Sequence, residues 1–130
     1  MNEQVKLILL DLDGTLLDEN SKVPVEFADL IQKCKAIGVH VGIASGRNRA
    51  ALELAFGDLF QTMCCITNNG CANYIEGKLS SYHYINLDVC ENIYQYSKEN
   101  GISFLLHKPE YILLEDSLFN ASPYALLLSK

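Results

Sequence analysis

An apolar run, Val5 to Leu10, ends abruptly in Asp11-Leu12-Asp13-Gly14-Thr15. Nothing else in the chain limits its possible folds as much. A short apolar segment stopped by acid is the pattern of a strand buried in a parallel sheet. Residues that follow such a strand sit at its carboxyl end, where open α/β sheets take up their ligands. Two nearby carboxylates raise each other's pKa unless a cation neutralises them, so Asp11 and Asp13 point to a divalent metal. With oxygen donors alone, that metal is Mg²⁺. A turn at Gly14 can give the two acids different roles.

The pattern that follows repeats strand and helix. Pro24 opens a helical segment in which Phe27, Leu30, Ile31, Cys34 and Ile37 share a face, and Gly38 stops it. Val39 to Ala44 reads as a second buried strand. A helix from about Asn48 to Phe56 is closed by Gly57, and Met63 to Ile66 reads as a third strand. This rhythm predicts an α/β fold, a Rossmann-like, mostly parallel sheet built by right-handed crossovers with helices on its faces.

Beyond Asn68-Asn69-Gly70 the rhythm changes. Tyr74-Ile75 and Lys78-Leu79 flank Glu76-Gly77 as a hairpin. Asp88 is placed to cap a helix with Val89, Ile93, Tyr96 and Ser97 on one face, stopped at Asn100-Gly101. Ile102 to Leu106 and Tyr111 to Leu114 read as two strands joined around Pro109. The expected division is a core module over 1–84 and the beginning of a second α/β module over 85–130.

Composition narrows the function. The 130 residues carry 10 Lys+Arg against 16 Asp+Glu, a formal net charge of −6, which argues against a nucleic-acid-binding module. Hydrophobic residues at 49% and charged residues at 20% suit a globular domain able to bury a core. Five cysteines, with no CxxC pair and no zinc spacing, suit free thiols in a reducing compartment. The chain offers no secretory h-region and no membrane-length apolar stretch, so a cytoplasmic protein is expected.

Asp11-Leu12-Asp13-Gly14-Thr15-Leu16 resembles motif I of the haloacid-dehalogenase-like hydrolases, Mg²⁺-dependent phosphatases that work through an aspartyl phosphate. Ile43-Ala44-Ser45-Gly46-Arg47 is similar to that superfamily's motif II. Ser-Gly-Arg followed by Asn-Asn-Gly resembles its Cof-type sugar-phosphatase branch. The resemblance implies that Asp11 is the nucleophile and a metal ligand. It makes Asp13 the general acid/base, reaching the metal through its backbone carbonyl. The backbone at Leu12, with Ser45 and Gly46, would hold the phosphoryl oxygens, and Arg47 would meet the phosphate or polar end of a small phosphorylated metabolite. An Arg facing solvent at a helix start is the plainer alternative for Arg47, and Asn69 needs no role beyond shaping a turn. His40, His83 and His107 lack paired spacing and read as structural. Tyr82 and Tyr84, with the tyrosines of the following helix, read as core and interface.

Thirty-four positions separate Asp11 from Ser45, enough for one turn, one helix and one strand and no inserted lid. Any cap must therefore follow the third strand, as the C2-type α/β cap does in this superfamily. In this superfamily a Lys and a Gly-Asp-x-x-Asn-Asp acidic pair follow the cap, and no Gly-Asp-x-x-Asn-Asp pattern occurs in this sequence. The match thus covers about the first half of a family member, whether as a fragment, a shortened gene product or one half of a split protein. Such a chain alone is expected to be poorly active. Its first strand is expected to be an exposed edge that self-associates or is covered by a partner. The competing function is a non-catalytic binding module that retains the metal-binding turn.

Overall fold

The first strand, β1 (Leu7–Leu10), lies at the edge of a five-stranded sheet ordered β1-β2-β3-β4-β5. A computed structural model describes residues 5–109 and 112–114. Between β1 and β2 (His40–Ala44) runs α1 (Phe27–Ala36). Between β2 and β3 (Cys64–Thr67) run α2 (Arg49–Phe56) and a short 3-10 segment, Gly57–Thr62. Strands β1, β2 and β3 pair in parallel, with Leu10 opposite Ile43 and Ala44 opposite Ile66. Strand β4 (Ala72–Ile75) runs antiparallel to β3, and β5 (Lys78–Tyr82) antiparallel to β4. Four of the five strands therefore point one way.

Local chemistry accounts for the boundaries. The Asn48 side chain accepts the Ala51 amide and caps α2. Ile75 pairs with Lys78 across Glu76 and Gly77, both at positive φ (47° and 73°). That combination is the type I′ turn whose twist matches the flanking strands. Gly42 is required by closeness: a Cβ there would stand 2.6 Å from the Cys64 carbonyl oxygen, so a side chain would push β2 and β3 apart.

One core cluster joins Leu12, Phe27, Ile31, Val41, Ile43, Leu52, Phe56, Phe60, Cys65 and Tyr74. The Phe27 and Phe56 rings meet at 6.0 Å, so α1 and α2 cover the same side of the sheet. Both helices of this unit therefore lie on one face of the sheet. Two right-handed crossovers that step in the same direction, β1 to β2 to β3, must lie on one side. The opposite side carries Leu7 and Leu9, 47% and 42% exposed. The face assigned to α1 also needs correction. Phe27 and Ile31 are buried, but Leu30 and Ile37 are exposed, because an apolar stripe wider than its contact leaves its margins in water.

Burial has a chemical consequence at Cys65, which is 1% exposed on β3. Desolvation pushes its thiol up to about 12, and the neighbouring Cys64 adds to the shift. The folded state therefore holds a proton that the unfolded chain releases at lower pH. This stabilisation is complete below about pH 9 and is lost as pH rises toward 12, with a slope of about 1.4 kcal/mol per pH unit. Urea unfolding at pH 8 and at pH 10.5 should show the fall, and Cys65→Ala should flatten it. A profile unchanged by Cys65→Ala would place that thiol in contact with water.

Contacts divide the chain between His83 and Tyr84. The second unit contains α3 (Leu87–Asn100) and the antiparallel pair β6 (Leu105–His107) and β7 (Ile112–Leu114). The α3 cap is Asn86, whose side chain accepts the Asp88 amide, and not Asp88 itself. Gly101 closes the helix in left-handed conformation, as its position predicts. Of the face expected to be buried on α3 only Ser97 is, while Val89, Ile93 and Tyr96 are exposed. Of the two tyrosines read as core and interface, Tyr82 packs against the core and Tyr84 is exposed. Tyr111 and residues 115–130 lie outside the described residues. No helix among the described residues is long and apolar enough to cross a membrane.

Candidate active site

The parallel register brings three strand ends to one edge, each reaching a residue beyond the last. Asp11 follows Leu10, Ser45 follows Ala44 and Asn68 follows Thr67, so these residues line one carboxyl edge of the sheet. Alternation then sorts the motif: Leu12 is fully buried in the core, while Asp11 and Asp13 on either side are exposed. Both acids have extended backbones (φ −73°, ψ 158° and φ −77°, ψ 117°), and Gly14 turns the chain at φ 77°. The Leu17 amide donates to the Leu12 carbonyl at 3.0 Å and closes the loop. Leu12 thus anchors the segment and presents both carboxylates to solvent.

The loop after β2 is built equally tightly. The Ser45 amide donates to the Ile66 carbonyl at 2.9 Å, and the Ser45 Oγ accepts the Arg47 amide at 3.1 Å. Arg47 Nη2 reaches back to Asp13 Oδ1 at 2.6 Å, joining the two loops. Arg47 is therefore not simply turned to solvent. The pair is open to water, with Asp13 66% and Arg47 32% exposed, so it adds little stability and its importance is positional.

The loop after β3 supports the loop after β2. The Asn68 amide donates to the Arg47 carbonyl at 3.0 Å and the Asn69 amide to the Ser45 carbonyl at 3.3 Å. Asn68, Asn69 and Gly70 are all left-handed, with φ of 50°, 55° and 94°. For a non-glycine residue that conformation costs roughly 1 kcal/mol each, which Asn tolerates best. The Asn68 side chain is buried, and its amide nitrogen and oxygen have no hydrogen-bond partner among the described residues. The Asn69 side chain lies across Gly46: a Cβ on Gly46 would meet its Oδ1 at 2.8 Å. The sequence gives Asn68 only a place in the Asn-Asn-Gly stretch and Asn69 only a turn. Two asparagines before a glycine, each suited to positive φ, were the available signal.

His40, His83 and His107 are all exposed. Among the described residues no group of three or more His, Cys, Asp or Glu gathers as a metal cage. The Asp11 carboxylate and the Asp13 backbone carbonyl are oxygen donors of the kind that suit Mg²⁺, which takes one or two protein carboxylates and completes its shell with water and phosphate oxygens.

A family model described as haloacid dehalogenase-like hydrolase matches residues 8–125. Phosphatase YwpJ of Bacillus subtilis is 32% identical over 85 residues, covering 65% of this chain and 29% of that protein. Phosphoglycolate phosphatase of Sulfolobus acidocaldarius is 28% identical over 91 residues, covering 68% of this chain and 37% of that one. The solved structure of TM0651 from Thermotoga maritima superposes with a TM-score of 0.76 at 23% identity, over 98% of this chain and 48% of its own. The chain spans less than half the length of each of these proteins.

Proposed function

Because this chain belongs to the haloacid dehalogenase-like hydrolases, we propose that it carries the nucleophile-bearing part of a Mg²⁺-dependent phosphatase acting on small, sugar-phosphate-like metabolites. In this reading residues 1–84 form part of the catalytic core, and residues 85–130 begin a C2-type cap. The observation that carries the proposal is the Asp13–Arg47 contact at 2.6 Å, which sets a carboxylate and a phosphate-seeking cation side by side at the sheet edge that holds Asp11.

Asp11 is the nucleophile. One of its carboxylate oxygens attacks phosphorus, the bond to the leaving oxygen breaks, and an aspartyl phosphate forms. Asp13 donates a proton to the departing alkoxide. It then takes one from the water that attacks the aspartyl phosphate, releasing inorganic phosphate and restoring Asp11. The Leu12 backbone, Ser45 and Gly46 hold the phosphoryl oxygens, and Arg47 meets the charged end of the substrate. Asp11 and the Asp13 carbonyl would hold Mg²⁺, which supplies charge neutralisation for the phosphoryl group when bound. Sharing the site between two acids makes sense of the buried Leu12 between them, since it fixes their separation without joining their roles.

Calorimetric titration tests the metal assignment without any turnover. The wild-type chain should bind Mg²⁺, weakly because few protein ligands are involved, and Asp11→Ala should abolish the heat of binding. Equal binding by Asp11→Ala would refute the assignment.

A further inference from the structure

We propose that Asn69 is a positioning residue: its side chain, laid across Gly46, and the left-handed backbone behind it hold the Ser45–Arg47 turn in the shape that aims Arg47 at Asp13. The inference rests on the phosphatase reading, in which that turn receives the phosphoryl group.

The loop after β3 is strained. Asn68 and Asn69 both adopt positive φ, and two consecutive non-glycine residues do so only where surrounding structure holds them there. What they gain is visible. Their amides donate to the carbonyls of Arg47 and Ser45, the two ends of the neighbouring turn, at 3.0 and 3.3 Å. Between those two bonds lies Gly46, and the Asn69 amide occupies the space that a Cβ on Gly46 would take. Glycine at 46 is therefore needed for this contact and not for its own backbone, since it is absent from the positive-φ glycines. An alanine there would displace only the far end of the Asn69 side chain, which can rotate away. Backbone bonds fix the ends of the turn, the Asn69 amide covers its middle, and Arg47 leaves it toward Asp13.

A residue that spends strain on positioning behaves unlike one that supports the fold. Glycine adopts φ of +55° more easily than asparagine, so Asn69→Gly should leave the thermal midpoint unchanged or slightly raised. The same variant should speed amide hydrogen exchange across 45–47 by about tenfold, because the cover over Gly46 is gone. Gly46→Ala should do likewise, and the double variant should be no faster than either single one, since both remove one contact. Asn69→Asp, of nearly the same shape, should retain the protection. In titrations with inorganic phosphate in the presence of Mg²⁺, followed by NMR, Asn69→Gly should bind about tenfold more weakly than the wild type. Unchanged exchange at 45–47 in Asn69→Gly, or a midpoint that drops along with the protection, would overturn the assignment. A wild-type chain that does not bind phosphate would count against the phosphatase reading, while the exchange comparison decides the role of Asn69 in either case.

Discussion

On the phosphatase reading, Asp11→Asn should bring the low Mg²⁺-dependent hydrolysis of a generic phosphate ester expected of this partial chain down to the rate without enzyme. The substitution keeps the size and the extended backbone of the residue and removes only the anionic oxygen that attacks phosphorus. Removing the nucleophile from a machinery whose parts act together commonly costs about 10⁴–10⁶ in rate, because the remaining groups then have no covalent step to assist. Leu12 holds the segment from the core, so the variant should fold like the wild type, and its unfolding curve serves as the control. The assay compares initial rates of the two proteins at saturating Mg²⁺. Turnover by Asp11→Asn above a tenth of the wild-type rate would remove Asp11 from the covalent role.

Phe60→Ala should cost about 3–5 kcal/mol, the range for emptying a fully buried aromatic site. Phe60 has no exposed surface and meets the Tyr74 ring at 5.6 Å, and the Arg49 guanidinium lies 5.6 Å from the Phe60 ring and 5.2 Å from that of Tyr74. The substitution removes dispersion contacts to Tyr74 and one of the two rings facing the Arg49 cation. Domains of this size are stable by about 5–15 kcal/mol, so a third or more of the total can be lost at this one residue. The thermal midpoint should fall by roughly 15–30 °C. A loss under about 1 kcal/mol would show that the 3-10 segment collapses inward to fill the space.

How much of this was readable from sequence depended on the kind of signal. The three parallel strands were legible because each is an apolar run with abrupt polar ends, and their bounds move by only a residue or two: Cys64–Thr67 against Met63–Ile66 for the third. The hairpin at Glu76-Gly77 was legible because the turn chemistry is local. Burial was harder to read, since it depends on what stands opposite. Leu30 and Ile37 fit the period of α1, yet the layer that reaches them ends before their side of the helix. The cap of α3 was misplaced by two residues because Asn86 and Asp88 have nearly equal capping chemistry, and only the backbone angles choose between them. At the candidate site, the placement of Asp11, Asp13 and Ser45 at strand ends was legible because each follows an apolar run. The Arg47–Asp13 contact joins residues thirty-four apart, and no local pattern encodes which way an arginine reaches.

The unequal reach of the strand pairings sets an order for assembly. Tyr74 finds Leu79 across a span of only a few residues, whereas Leu10 must find Ile43 across α1 and its loops. The longer closure costs about 1.7 kcal/mol more in chain entropy before any contact repays it. Hairpins close in microseconds, so β4 and β5 can form while β1 still searches for β2. The carboxyl edge that carries Asp11 is therefore completed late. Asp11 stands one residue beyond the strand that docks by the longest route, and so it is also among the first residues to be released when the sheet begins to open.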